Sequence, residues 1–89
     1  VTQQIEIAVG PFEAATCLIA AVTGRGLDDI HMDHRLVNDL LMDSLEYLEM
    51  AMMIEETWGV VVDTVQLTRL VTVADVARLL PSDARLPLV

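Results

Sequence analysis

Lysine is missing altogether: five arginines face fourteen acids, for a net charge of −9. A surface this acidic repels phosphate backbones, which excludes nucleic acid as a partner and points to basic protein surfaces instead. Cysteine is reduced to Cys17, so neither an internal disulfide framework nor a multi-cysteine zinc site is available. Phe12, Tyr47 and Trp58 are the only aromatics, so the core must be aliphatic and methionine-rich. Long apolar runs are also lacking. The stretch from Cys17 to Val22 falls far short of the roughly 20 residues that cross a bilayer, and no membrane partner is expected. No basic segment opens the chain, so no signal peptide is expected, and the default location is intracellular, in the cytoplasm. What is present is apolar material, 54% of 89 residues, enough for one domain with a packed core.

Residues 1–10 read as an N-terminal extension. Ile5, Ile7 and Val9 alternate as in a short strand, and Gly10-Pro11 ends the segment. Pro11 suits the first turn of a helix. Phe12, Ala15, Ile19 and Val22 then recur at helical spacing, with Leu18 nearby, and Gly24-Arg25-Gly26 stops the run. Residues 25–42 form a long connection that Leu27, Ile30, Leu36, Val37, Leu40 and Leu41 should hold down against the core. A second helix runs from Asp43 to Trp58, with Asp43 and Glu46 at capping-box spacing and Gly59 after it. Asp63 or Thr64 caps a short helix through Arg69. Thr72 and Asp75 open a last helix on Val73, Val76, Ala77 and Leu80, which Pro81 ends. Residues 82–89 read as a frayed tail. The expectation is an all-α fold, a bundle of three main helices and one short one. Val60-Val61-Val62 has no partner run of comparable quality, so a sheet is not expected.

The second helix carries most of the information. With Tyr47 as origin, Met50, Ala51, Ile54 and Trp58 fall within about 60° of it and form a core stripe. Leu45, Leu48 and Met52 form another apolar stripe at about 100–160°, joined or flanked by Glu49, Glu55 and Glu56, with Glu46 farther round. Two readings are open. Either the helix is buried on both sides, or the outer stripe is a docking face whose apolar residues supply affinity and whose acids steer basic partners. Ser44 stands in the first turn. Asp43 is the better cap, which leaves the Ser44 hydroxyl free, and a helix N-terminus tolerates an attached phosphate through its free N–H groups and dipole. No nucleophile, base and orienting group come together, so an enzyme is not expected. His31 and His34 lie among Asp28, Asp29 and Asp33, but this run lacks the glycine and closing glutamate of a calcium loop. It reads as solvated loop, and no metal site is assigned. Nothing near Cys17 lowers its pKa.

Leu36, Asp39-Leu40, Asp43-Ser44-Leu45-Glu46, Leu48-Glu49-Met50, Ile54-Glu55-Glu56, Trp58, Val62, Leu70 and Thr72-Val73 together resemble the acyl carrier protein family, over about residues 11–80. The resemblance implies a four-helix carrier domain at 11–80, followed by a tail at 81–89. It implies a 4′-phosphopantetheine arm on Ser44, donated by coenzyme A through a phosphopantetheinyl transferase and a divalent metal, with Asp43 helping to orient the transferase. The arm would carry acyl groups as thioesters, and its tether would raise their effective concentration at each enzyme. Leu45, Glu46, Leu48, Glu49, Met52, Glu55 and Glu56 match the family's partner surface. The implied partners are ketosynthases, acyltransferases or acyl ligases with basic docking surfaces, and the carrier is expected to be a monomer in fatty-acid or polyketide-type synthesis, either freestanding, the leading reading, or a domain excised from a larger synthase. Tyr47, Met50, Ala51, Ile54 and Trp58 match core positions, some lining an acyl cavity, with Met42, Met52 and Met53 as further flexible lining or rim. Leu41 departs from the family's glycine two residues before Asp43. Either it adopts a backbone conformation costly for leucine, or it plugs the cavity. Tyr47 is bulkier than usual and would narrow the cavity or make one end polar. An amino-acid-loaded carrier and a non-carrier adaptor docking through the second helix are the alternatives. The Glu46, Glu49, Glu55, Glu56 series favours an acyl carrier over a peptidyl one.

Overall fold

The computed structural model describes residues 6–87. Ile5 and the last two residues lie outside them. The chain runs as strand β1 (Glu6–Ala8), helix α1 (Gly10–Thr23), a single 3-10 turn at Leu27–Asp29, α2 (Ser44–Trp58), α3 (Thr64–Thr68), α4 (Val73–Leu79) and strand β2 (Arg85–Pro87). The body is the expected helical bundle.

Local chemistry starts each later helix. Asp43, Asp63 and Thr72 are extended N-caps whose side chains accept from the backbone N–H three residues on, while Glu46, Gln66 and Asp75 return the bond. Each reciprocal pair satisfies two donors that a helix start otherwise leaves open. The ends of α1 and α2 fall at Gly24 and Gly59, with φ of 75° and 70°, a left-handed turn that suits glycine.

Helix α1 packs against both α4 and α2. Leu18 and Ile19 from α1, Met50 and Ile54 from α2, and Val73 and Val76 from α4 are buried together, each worth about 1.5–3 kcal/mol of apolar transfer. Phe12, expected on this face, is exposed. The buried arc of α1 runs through Ala14, Ala15, Leu18 and Ile19, and its centre lies roughly 90° away from Phe12.

The long connection is tied down, as its apolar content suggests. Leu36 N–H donates to Val71 O at 2.8 Å, Val73 N–H to His34 O at 3.1 Å and Ala74 N–H to Met32 O at 3.0 Å. Ile30, Leu36 and Leu40 are its buried anchors, while Leu27, Val37 and Leu41 face solvent rather than the core.

The expectations of a frayed tail and no sheet are corrected. Strands β1 and β2 pair antiparallel, Ile7 opposite Leu86, as a two-stranded ribbon added to the bundle. An isolated hairpin-sized ribbon is marginal in water, and here the bundle supports it. Val9 and Gly10 N–H both donate to the carbonyl of buried Ala84, at 3.0 and 3.2 Å. Trp58 Nε1–H donates to Arg85 O at 2.9 Å. Val60-Val61-Val62 forms no strand. Among the described residues, no helix is long and apolar enough to cross a membrane.

Candidate functional site

Ser44 is the first residue of α2. The capping box next to it explains its state. Glu46 N–H donates to Asp43 Oδ1 at 2.8 Å, and Asp43 N–H donates to Glu46 Oε1 at 3.1 Å. Asp43 therefore performs the cap that a serine would otherwise supply. Ser44 is exposed, and its hydroxyl has no hydrogen-bond partner among the described residues. It sits at the positive end of the helix dipole, where added negative charge is favoured.

An apolar groove of about 530 Å³ opens beside it. Val37 and Met42 of the connection, Tyr47 and Leu48 of α2, and Leu67 and Thr68 of α3 line it together with Asp43 and Ser44. Tyr47 shapes this groove. Its Oη–H donates to Leu70 O at 2.8 Å, bridging α2 to the segment after α3. Partial burial, and secondarily the negative charge of Asp75, push the Tyr47 pKa above its ordinary value, so the phenol remains a neutral donor.

Of Tyr47, Met50, Ala51, Ile54 and Trp58, the positions matched to core and acyl cavity, Tyr47 alone lines the groove. Met50 and Ile54 are fully buried core, and Ala51 and Trp58 are half-buried. Trp58 stands at the far end of α2, about 21 Å from Ser44 by helix rise, holding the ribbon. Of the methionines, Met42 lines the groove, Met53 packs against the core and Met52 is exposed. Leu67 and Thr68 were missed as lining residues, because a five-residue helix is too short to display a periodic face.

The two readings of the outer stripe are now distinguished. Leu45, Leu48 and Met52 are 63%, 54% and 59% exposed, so α2 is buried on one side only. Glu49, Glu55 and Glu56 are exposed with them. Glu46 is half-buried, with its carboxylate committed to the cap.

Leu41 adopts the costly conformation. Its φ is 58°, and its side chain is exposed and absent from the groove lining, so it plugs nothing. Elsewhere, His34 Nδ1 accepts from His31 N–H at 3.1 Å, and among the described residues no three His, Cys, Asp or Glu side chains group as a metal site. Burial, with the charge of Glu13 second, raises the Cys17 pKa, which keeps the thiol protonated and unreactive.

Residues 13–80 match the family described as the phosphopantetheine attachment site. The chain belongs to the acyl carrier protein family. It is 36% identical over 56 residues to an acyl carrier protein of Coprothermobacter proteolyticus, covering 63% of this chain and 68% of the relative. It is 39% identical over 59 residues to an acyl carrier protein of Rickettsia bellii strain RML369-C, covering 66% and 69%. Acyl carrier proteins are carriers rather than enzymes. Their prosthetic group is 4′-phosphopantetheine, and in general they meet a phosphopantetheinyl transferase and biosynthetic enzymes.

Proposed function

We propose that Ser44 bears the 4′-phosphopantetheine arm, within a carrier domain spanning residues 11–80, and that the protein delivers acyl groups to enzymes of fatty-acid or polyketide-type synthesis. One observation carries this reading: the Ser44 hydroxyl is exposed and unbonded at the start of α2, because Asp43 holds the cap in its place. A phosphodiester fits there. The helix start favours the charge, and the apolar groove beside Ser44 offers cover to whatever is attached.

In the attachment step, Ser44 Oγ attacks the pantetheine-bearing phosphorus of coenzyme A. A new Oγ–P bond forms, the pyrophosphate P–O bond breaks, adenosine 3′,5′-bisphosphate leaves, and the serine proton passes to a base of the transferase. Once attached, the group supplies a terminal thiol for thioester chemistry. The chain's own residues position and present it. Asp43 keeps Ser44 at the helix tip and helps orient the transferase. Leu45, Leu48 and Met52 offer apolar contacts, and Glu49, Glu55 and Glu56 steer basic surfaces of ketosynthases, acyltransferases or acyl ligases.

The acidic outer face, and relatives that are themselves acyl carrier proteins, favour acyl over aminoacyl cargo. The test is incubation with coenzyme A, magnesium and a broad-specificity transferase, followed by intact mass. One phosphopantetheinyl group on the wild type and none on Ser44→Ala is expected. A folded wild type that gains nothing would favour the adaptor reading.

A further inference from the structure

Leu41 is the one non-glycine residue with positive φ among the described residues. In that conformation Cβ crowds the following carbonyl, a strain that glycine avoids. Its neighbours impose it. Leu40 and Met42 are both buried, so the chain must turn outward between them. Leu41 N–H is held by Val37 O at 3.1 Å, and Met42 N–H by Leu36 O at 2.9 Å. Glycine would make this turn more easily, and the leucine side chain gives the fold nothing in return. It is 70% exposed, the most exposed of the large hydrophobic residues in the described chain. Strain retained without internal packing points to a use outside the fold.

The surroundings indicate the occupant. Val37 and Leu41 before Ser44, and Leu45 and Leu48 after it, are all exposed apolar side chains. Asp43 and Glu49 lie in the same stretch of a chain with net charge −9. The matching surface is an apolar socket in a basic rim. An enzyme that works at the end of a long arm can dock away from Ser44. The enzyme that makes the bond to Ser44 Oγ must close over the residues immediately around it, and Leu41 is three positions away.

We propose that Leu41 is a recognition residue for the phosphopantetheinyl transferase, seating in an apolar socket next to the transferase's active site. This rests on Ser44 being the attachment site. Leu41→Gly and Leu41→Asn both keep the left-handed backbone while removing the apolar side chain, and Leu41→Met keeps an apolar side chain of similar size.

The full-length variants are melted, and their loading from coenzyme A by a broad-specificity transferase with magnesium is followed by intact mass at several carrier concentrations. Leu41→Gly is expected to melt at or above the wild type, and its KM as transferase substrate to rise about fivefold, with kcat within about twofold. Leu41→Asn should show the same rise in KM, and Leu41→Met should stay close to the wild type. A wild-type KM in both Leu41→Gly and Leu41→Asn overturns the proposal. So does a fall in kcat at constant KM, which would assign Leu41 to loop geometry rather than contact. Loading of Ser44→Ala, or no loading of the wild type, overturns the underlying attachment reading and this proposal with it.

Discussion

Replacing Asp43 by alanine tests the claim that one carboxylate both starts α2 and frees Ser44. The substitution removes the 2.8 Å bond from Glu46 N–H to Asp43 Oδ1. It leaves the return bond from the residue-43 N–H to Glu46 Oε1 in place. Loss of an N-cap side chain costs about 1 kcal/mol, within a range of roughly 0.5–2. Loss of a negative charge at the helix start adds about 0.3–1 kcal/mol. The sum is about 1–2 kcal/mol. For a domain of this size each kcal/mol moves Tm by about 4–8 °C, so Asp43→Ala should melt about 5–15 °C lower by circular dichroism. Asparagine caps nearly as well as aspartate, so Asp43→Asn should lose only the part due to charge, about 1–8 °C. A second consequence separates the cap from its effect on the site. Without Asp43, the next competent cap is Ser44, whose hydroxyl would turn to accept from Tyr47 N–H. Asp43→Ala should therefore load phosphopantetheine more slowly than its loss of stability alone implies. An Asp43→Ala protein that melts within about 2 °C of the wild type and loads at the wild-type rate would refute the reasoning.

Three further outcomes are expected. Asp75 Oδ2 accepts from Val71 and Thr72 N–H, both at 3.0 Å, and Arg78 pairs with Oδ1 at 2.8 Å. These backbone bonds first, and Arg78 last, hold its pKa below the ordinary value. The folded state thus takes up this proton less readily than the unfolded one. Its contribution is complete above the ordinary carboxylate pKa and is lost as pH falls through the lowered one. Urea melts across that window should show a shallower acid-side loss in Asp75→Asn than in the wild type, and parallel curves would contradict this. The double variant Glu49→Lys, Glu56→Lys should keep a normal melting curve, since both side chains are exposed, while its loading by a transferase weakens. Unchanged loading would remove these acids from the docking face. Trp58→Phe removes the 2.9 Å bond to Arg85 O and should cost about 0.5–1.5 kcal/mol in urea unfolding. No measurable cost would show that the ribbon does not depend on the indole.

What was legible in the sequence was local or strongly periodic. Asp43 with Glu46 and Thr72 with Asp75 announce helix starts because both partners lie within one turn, and both capping boxes form. The division of α2 into a core stripe at Met50 and Ile54 and an exposed one at Leu45, Leu48 and Met52 follows from fifteen residues of helical spacing. The ribbon was half legible. The alternation through Ile7 and Val9 suggested a short strand, and β1 forms at Glu6–Ala8, but residues 85–87 were read as tail, since a three-residue strand carries too little pattern to identify a partner so distant in the chain. Phe12 was assigned to the core from spacing alone, but Ala14 and Leu18 turn the buried arc of α1 away from it. The groove was half legible. Met42 and Tyr47 were expected in it, whereas Leu67 and Thr68 reach it from α3 through tertiary placement that no local pattern encodes. The left-handed turn at Leu41 was legible only as a departure from the family's glycine, and the exposure of its side chain only in the structure.

The attachment of phosphopantetheine to Ser44 can be tested directly by peptide mapping. The chain has no lysine, so trypsin cutting after Arg35 and Arg69 releases residues 36–69 as one peptide, in which Ser44 is the only serine. Loaded protein should yield this peptide with one phosphopantetheinyl group, and fragmentation should place the added mass on Ser44. Added mass on any other peptide, or on Thr57, Thr64 or Thr68 within this one, would contradict the account.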